Sequence, residues 1–157
     1  MNSIQSEYFT KALLVLLDET FDNVHGYYLD KNTSLFETLA NITAEEASIP
    51  VGGKGATLAA QVKHVAFYLD VVEKSANNPN YPKVDWGVIW RTVSKVTPDE
   101  WLGIRDELRA NYNRILNLIK AAPVWPSGDD FDSAIAVVAH TSYHLGEIRQ
   151  ALCVLRT

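Results

Sequence analysis

The chain has little of what several classes of protein require. It has one cysteine, Cys153, so it cannot form an intramolecular disulfide. Its 14 basic residues face 19 acidic ones and form no cluster, which argues against nucleic acid as a partner because phosphate binding needs grouped cations. Asp18 and Glu19 end the longest apolar run well short of the roughly 20 residues that span a bilayer. Residues 1–5 also lack the basic and apolar regions of a signal peptide, so we expect a cytoplasmic protein with no membrane partner.

What the chain does have is helical periodicity. With 157 residues and 47% hydrophobic composition, it predicts a single domain over residues 1–157 with a substantial core. Four long stretches carry apolar residues at helical spacing, and no alternating strand pattern occurs. The sequence therefore predicts an all-α fold, an antiparallel four-helix bundle with short extra helical pieces in the loops. The long helices are predicted over residues 6–24, 58–75, 98–121 and 131–155, with short pieces near 35–39, at 43–46 and around Trp86 and Trp90, whose spacing predicts that they share one helix face.

Local signals mark where several helices begin and end. Thr43 and Glu46 form a capping box, and Thr97-Pro98-Asp99-Glu100 combines an N-cap, a proline at the first helical position and an acidic third residue. The glycines of residues 52–55 lack the phosphate-loop spacing, so they predict a turn with Thr57 as the next N-cap. Pro123 and Pro126 predict a break before the fourth long helix.

Two histidines stand four residues apart near the end of the chain, in the run His140-Thr-Ser-Tyr-His144-Leu-Gly-Glu147. Because a helix turns about 100° per residue, the two imidazoles lie on one face about 6 Å apart along the axis. Glu147 falls within about 20° of His140 on the same stripe. The spacing is typical of a helical metal clamp with a carboxylate beside it.

A third histidine, His64, lies on the apolar side of the second long helix, opposite its charged face. In a bundle, inward side chains of facing helices converge, so we predict a triad of His64, His140 and His144. A lone inward histidine is more often a hydrogen-bonded core residue, but three buried imidazoles would each need a separate partner. His25 is expected at the surface or in a hinge, and Cys153 lies on the opposite side of its helix from His144.

An inward histidine on the second helix followed by H-x-x-Y-H-x-G-E-I on the fourth resembles the DinB/YfiT-like superfamily of metal-dependent helical bundles. The resemblance extends over nearly the whole chain, including the tryptophan-containing loop. It implies that His64, His140 and His144 hold a divalent metal ion, and that the activity belongs among thiol-dependent transferases, isomerases or hydrolases. Family members often have Gln where this chain has Glu147, which leaves open whether Glu147 is a ligand, an acid-base group or a structural residue.

These observations lead to two functional hypotheses. The first is a metal-dependent enzyme acting on a small-molecule substrate, with Glu147 as base or as a residue that orients a ligand. The metal could be zinc, nickel, iron, copper or manganese, since imidazole accepts all of them. Water or a small thiol cosubstrate would supply the attacking group. The rival is a non-catalytic helical interaction module with a vestigial or metal-filled pocket. The tryptophans and broad apolar faces further predict a homodimer.

Overall fold

The computed structural model describes residues 5–121, 125 and 128–157, and those residues form helices and loops without a strand. This confirms the all-α prediction for the described part of the chain. A single 3-10 turn, Val51–Gly53, precedes the fourth helix. In chain order the helices are α1 (Ser6–Phe21), α2 (Leu35–Leu39), α3 (Ala44–Ala47), α4 (Leu58–Asn77), α5 (Val88–Thr92), α6 (Pro98–Ala121) and α7 (Gly128–Leu155).

The bounds agree with the predictions to within three residues. Helix α6 begins and ends as predicted, whereas α1 ends at Phe21 instead of residue 24, and α7 begins three residues early at Gly128. Trp86 lies in the turn before α5, so the prediction that both tryptophans share one face of a short helix is wrong. The predicted break at Pro123 and Pro126 lies outside the described residues.

The capping signals act as the sequence predicts. The Thr43 hydroxyl accepts the Glu46 backbone N–H at 3.2 Å, and the Glu46 carboxylate accepts the Thr43 N–H at 3.1 Å. Thr57 accepts from the Ala60 N–H at the start of α4, so the helix that carries His64 has a fixed first turn. Such a cap contributes about 1 kcal/mol.

Helix α4 occupies the centre of the packing. It contacts α5, α6 and α7, while α1 contacts α2, α6 and α7. Phe21 of α1 stacks on Tyr112 of α6 with ring centroids 4.0 Å apart, and both rings are almost completely buried. The large side chains of α4 that are completely buried recur at helical spacing and are Leu58, Val62, Val65 and Leu69.

The helices do not all alternate in direction. Lys63 pairs with Glu107, the Ala66 carbonyl accepts from Asn111 at 2.7 Å, and Asp70 pairs with Arg114 at 3.0 Å. These pairs advance together along both helices, so α4 and α6 run parallel. The prediction of antiparallel neighbours therefore fails for this pair, because the chain between them, residues 78–97 with α5, returns to the end of the molecule where α4 begins.

By contrast, α4 and α7 run in opposite directions. His64 of α4 approaches His144, whereas Tyr68, one turn further along α4, stacks on His140, one turn earlier on α7. The ring centroids are 4.9 Å apart in the first pair and 3.8 Å apart in the second. The antiparallel crossing is what brings the inward face of α4 against the histidines of α7.

Glu19 is a buried carboxylate at the end of α1, with 0% of its surface exposed. Its two oxygens accept four backbone N–H groups from the loop that follows the helix, at 2.8–3.2 Å, from His25, Tyr27, Tyr28 and Leu29. Burial raises the pKa of this carboxyl, but the four donors together outweigh it and the net pKa is lowered. The loop after α1 is thus folded around one side chain.

That loop also connects α1 to α7. The Tyr28 hydroxyl hydrogen-bonds the Thr20 hydroxyl on α1 and the Ser142 hydroxyl on α7, the latter at 3.0 Å. Thr20 is fully buried and also donates to the Leu16 carbonyl one turn earlier. Ser142, although adjacent to the histidines in sequence, therefore faces the loop.

None of the helices in the described part of the chain is long and apolar enough to cross a membrane.

Candidate metal centre

His64, His140 and His144 converge where α4 crosses α7. His64 is 7% exposed and His144 is 5% exposed, while His140 is partly buried. Each offers one nitrogen such that the three nitrogens lie within 4.8 Å of one another. The structure thus brings together the three residues predicted from the sequence, and we refer to them as the histidine cluster.

The spacing of the rings suits coordination of a single ion. Ring centroids are 5.2 Å apart for His64 and His140, 4.9 Å for His64 and His144, and 4.6 Å for His140 and His144. An ion about 2.1 Å from a ring nitrogen lies about 3.2 Å from that ring's centre, so ligand angles between about 90° and 110° place ring centres about 4.5–5.3 Å apart. All three measured spacings fall in this range.

The hydrogen bonding of the cluster is incomplete. Nδ1 of His64 and Nδ1 of His140 are buried and have no hydrogen-bond partner among the described residues. Buried polar atoms are nearly always paired, because an unpaired one forfeits its interaction with water at a cost of about 1–3 kcal/mol. Within the described part of the chain, neither histidine has a hydrogen bond at Nδ1 that fixes where its proton lies, so either ring nitrogen can offer its lone pair to an ion.

The third histidine is held in a defined tautomer. Nδ1 of His144 lies 2.8 Å from Oε2 of Glu147, and a carboxylate only accepts hydrogen bonds, so Nδ1 carries the proton. The lone pair of His144 is then on Nε2. A carboxylate that orients a histidine in this way is the usual companion of a metal ligand.

The electrostatics keep the cluster neutral. Burial lowers the pKa of His64 to about 4, helped by the nearby His144. Burial likewise lowers the pKa of His140 to about 4, with His144 and His64 adding to the shift. Burial also lowers the pKa of His144, against the opposing effect of Glu147. Neutral imidazole is the form that binds metal, so the cluster is ready to ligate at pH 7 without losing protons.

Aromatic rings surround the three histidines. Trp90 of α5 packs on His64 with centroids 4.5 Å apart, Tyr68 stacks on His140 at 3.8 Å, and Tyr143 packs edge-on against His144 at 5.0 Å. The contact of Trp90 could not be read from the sequence, because it depends on the path of the loop between α4 and α6. Tyr68 lies on α4 one turn after His64, and Tyr143 lies on α7 directly before His144.

Further polar atoms without partners accompany the cluster on the same two helices. Oε1 of Gln61, one turn before His64, and Oγ1 of Thr141, next to His140, are buried and unpaired among the described residues. Neither residue could be singled out from the sequence, because a buried glutamine or threonine usually has a hydrogen-bond partner.

The other candidates lie elsewhere. His25 is exposed and pairs with Asp18 at 2.6 Å, as expected for a surface residue. Cys153 is exposed and takes no part in the cluster. Cavities of about 600 Å³ along α1 and about 480 Å³ between α4, α6 and α7 do not include a histidine of the cluster, so the candidate centre does not coincide with either of them.

Comparison with known proteins found no matching family model, no matching curated protein and no matching solved structure.

Proposed function

We propose that this chain is a metal-dependent enzyme that acts on a small molecule by hydrolysis or by thiol transfer. The observation that carries the proposal is the convergence of three neutral histidines, two of them with a buried nitrogen that has no partner among the described residues. Three protein ligands leave coordination positions for water and substrate, which distinguishes a catalytic from a structural site. The motif around His140 and His144 supports membership of the DinB/YfiT-like superfamily.

His64, His140 and His144 would hold the divalent ion, which would supply Lewis acidity to activate water or a thiol. Three imidazoles suit zinc, nickel, iron, copper or manganese, and the donor set does not select among them. Of the roles considered for Glu147, its hydrogen bond to Nδ1 of His144 favours that of a positioning residue, which fixes the tautomer and direction of the ligand ring.

The attacking group would come from outside the chain. Cys153 is exposed and outside the cluster, and the Ser142 hydroxyl is bonded to Tyr28 on the side of α7 that faces the loop. Neither is placed to attack a substrate held at the histidines. Water or a small thiol cosubstrate then serves as the nucleophile, in agreement with the chemistry that the family resemblance implies.

We also propose that α1, α4, α6 and α7 form a single four-helix bundle, with α4 antiparallel to α7 and parallel to α6. Their mutual packing supports this arrangement. The homodimer remains a prediction, supported by large apolar side chains that stay exposed on several helices, among them Tyr8, Leu102 and Ile135. Light scattering that shows a monomer over the accessible concentration range would remove it.

The metal content of protein purified without a metal-binding tag tests the proposal. Wild type should carry about one ion per chain by elemental analysis, and His64→Ala, His140→Ala and His144→Ala should each lose most of it. The exposed His25→Ala is the matched control and should leave the content unchanged. Equal metal in wild type and His144→Ala would refute the site.

Activity separates the enzyme from the rival interaction module. Metal-loaded protein that turns over hydrolytic or thiol-transfer substrates supports the enzyme, whereas bound metal without turnover across such a panel supports the module. Glu147→Ala should weaken metal binding about 10- to 100-fold, as expected for a residue that orients a ligand. Glu147→Gln keeps an oxygen that can accept from His144, so it should lose less metal affinity than Glu147→Ala.

A further inference from the structure

Three large aromatic side chains remain exposed next to the histidine cluster. Trp86 is 45% exposed, Trp90 is 40% exposed and Tyr143 is 62% exposed. We call these three the aromatic rim. Exposed apolar side chains are ordinary when scattered singly, but three gathered around one site indicate a binding surface.

The rings of the rim approach the three histidines directly or through one intermediate ring. Trp90 contacts His64 at 4.5 Å and lies 6.2 Å from His144. Tyr143 packs edge-on against His144 with ring centroids 5.0 Å apart. Trp90 and Tyr143 thus carry exposed ring surface directly beside the histidines.

Trp86 connects to the cluster through one intermediate ring. It lies 6.0 Å from Tyr68, and Tyr68 stacks on His140 at 3.8 Å with an interplanar angle of 16°. Trp86 also packs edge-on against Phe67 at 5.7 Å. Trp86 and Trp90 are thus packed against aromatic rings of α4, whereas Tyr143 packs against His144 of α7.

The basic residues that flank the rim and the cluster in sequence are paired with carboxylates. Arg91, next to Trp90, pairs with Asp85, and Lys63, next to His64, pairs with Glu107. Glu147 is the carboxylate that contacts the cluster. Within residues 5–121, 125 and 128–157, no lysine or arginine forms an ion pair, hydrogen bond or cation–π contact with the rim or the cluster among the observed interactions. At the rim itself, away from the charge of the proposed ion, an anionic group on the substrate would meet no contacting lysine or arginine among these residues.

We propose that the substrate carries a planar, uncharged or cationic group that stacks on Trp90 and Tyr143 while the reacting atom lies at the histidine cluster. This inference rests on the proposed function, since it assumes an ion at the cluster. Aromatic faces carry negative charge density, so they attract planar rings and cations and disfavour anions. The rim sets the substrate class, while the metal sets the reaction.

Hydroxamic acids are suitable probes because they bind the metal through the same group while the attached substituent varies. Cobalt(II)-loaded full-length protein would be titrated with benzohydroxamic acid and with acetohydroxamic acid, and dissociation constants read from the visible absorption of the cobalt. We expect the phenyl compound to bind about 5- to 10-fold more tightly, as one or two aromatic contacts provide. Trp90→Leu and Tyr143→Leu should each reduce that ratio by at least half.

Tyr8→Leu, an exposed aromatic of α1 away from the site, is the matched control and should leave the ratio unchanged. The charge that the rim favours on a bound group is tested with benzohydroxamic acids that carry a para aminomethyl or a para carboxylate group. The cationic compound should bind at least 3-fold more tightly than the anionic one in wild type. Tyr143→Leu, which removes a highly exposed ring, keeps the test valid if Trp90→Leu fails to fold.

The outcomes distinguish this inference from the function on which it rests. A protein that binds no cobalt, or a cobalt spectrum that no hydroxamate changes, would overturn both. A spectrum that responds to both hydroxamates with equal affinities in wild type and in Trp90→Leu would overturn the rim alone. Tighter binding of the anionic compound than of the cationic one would also overturn the proposed role of the rim. So would light scattering that shows a dimer in wild type and a monomer in Trp90→Leu, if the two proteins bind the phenyl compound with equal affinity.

Discussion

Glu19 and the histidine cluster are both buried polar groups on inward helix faces, but they differ in how their hydrogen bonds are satisfied. The Glu19 carboxylate accepts four backbone N–H groups, whereas His64 and His140 each leave a buried nitrogen without a partner among the described residues. A polar group that serves the fold is completed by the chain itself. The unpaired nitrogens distinguish the histidine cluster, which could hold a metal ion, from the carboxylate that holds the loop after α1.

Lowering the pH should change the stability of the protein most, because it titrates first the histidine cluster and then Glu19. In metal-free protein the pKa values of His64 and His140 are lowered from 6.5 to about 4, so the unfolded chain binds more protons between these values. Stability should therefore fall as the pH drops from 6.5 towards 4. The pKa of Glu19 is lowered below 4.5, so its contribution is complete above pH 4.5 and is lost as the pH falls through the folded pKa. Urea unfolding in EDTA from pH 7.5 to 3.5 measures both steps.

Variants assign the two pH ranges to the two regions. His64→Leu should flatten the loss between pH 6.5 and 4, and Glu19→Gln should flatten only the loss below 4.5. If both variants kept the wild-type slope throughout, the titrating groups would lie elsewhere in the chain.

Glu19→Gln should have the largest effect of the single substitutions at neutral pH, a loss of about 3 kcal/mol. An amide offers one oxygen where the carboxylate offers two, so buried backbone donors lose their charged partner. Chemical denaturation at pH 7.5 measures it. Glu7→Gln makes the same change at an exposed position of α1 and should alter stability by less than about 0.5 kcal/mol. Equal stability of Glu19→Gln and wild type would show that the loop does not depend on this carboxylate.

Which of these features could be predicted from the sequence depends on how far apart in the chain the interacting residues lie. The caps at Thr43, Thr57 and Thr97 were predicted because each depends on residues at most three positions away. The histidine cluster was predicted because helical phase alone places His64, His140 and His144 on inward faces. Local periodicity determines both.

What the sequence did not show depends on long-range paths of the chain. Glu19 bonds to backbone N–H groups of a loop, and backbone donors carry no side-chain signature. Trp90 reaches His64 only because the loop between α4 and α6 folds back over the cluster. The parallel direction of α4 and α6 has the same origin, since the length of a loop does not state to which end of the molecule it returns.

Two buried threonines allow the same comparison between a hydrogen-bonded polar group and an unpaired one, with smaller expected effects. Thr20 and Thr141 are both 0% exposed, but the Thr20 hydroxyl bonds Leu16 and Tyr28, while the Thr141 hydroxyl is unpaired among the described residues. Thr20→Val should cost about 1 kcal/mol, and Thr141→Val should be neutral or stabilising by a few tenths. Denaturation midpoints of the two variants decide it. A larger loss for Thr141→Val would mean that its hydroxyl has a partner.

His64→Leu should also have only a small effect on the stability of metal-free protein at pH 7.5. Leucine fills the space without a buried nitrogen, so stability should stay within about 1 kcal/mol of wild type or rise. His25→Leu, at an exposed position, should change it by less than about 0.5 kcal/mol. Thermal and urea unfolding in EDTA would measure both. If His64→Leu lowered the free energy of unfolding by about 3 kcal/mol, the cluster would instead be a structural network like that of Glu19, completed within the protein.

The crossing of α4 and α7 has a consequence for how the molecule folds. His64 and His144 lie far apart in sequence, so their meeting closes a long loop and belongs to the slow, non-local part of folding. An ion that requires both helices binds only the folded chain, and at one hundred times its dissociation constant it would add about 2.7 kcal/mol to stability. The melting temperature would then report the free metal concentration around the protein, and metal depletion would loosen first the docking of α7 on α4.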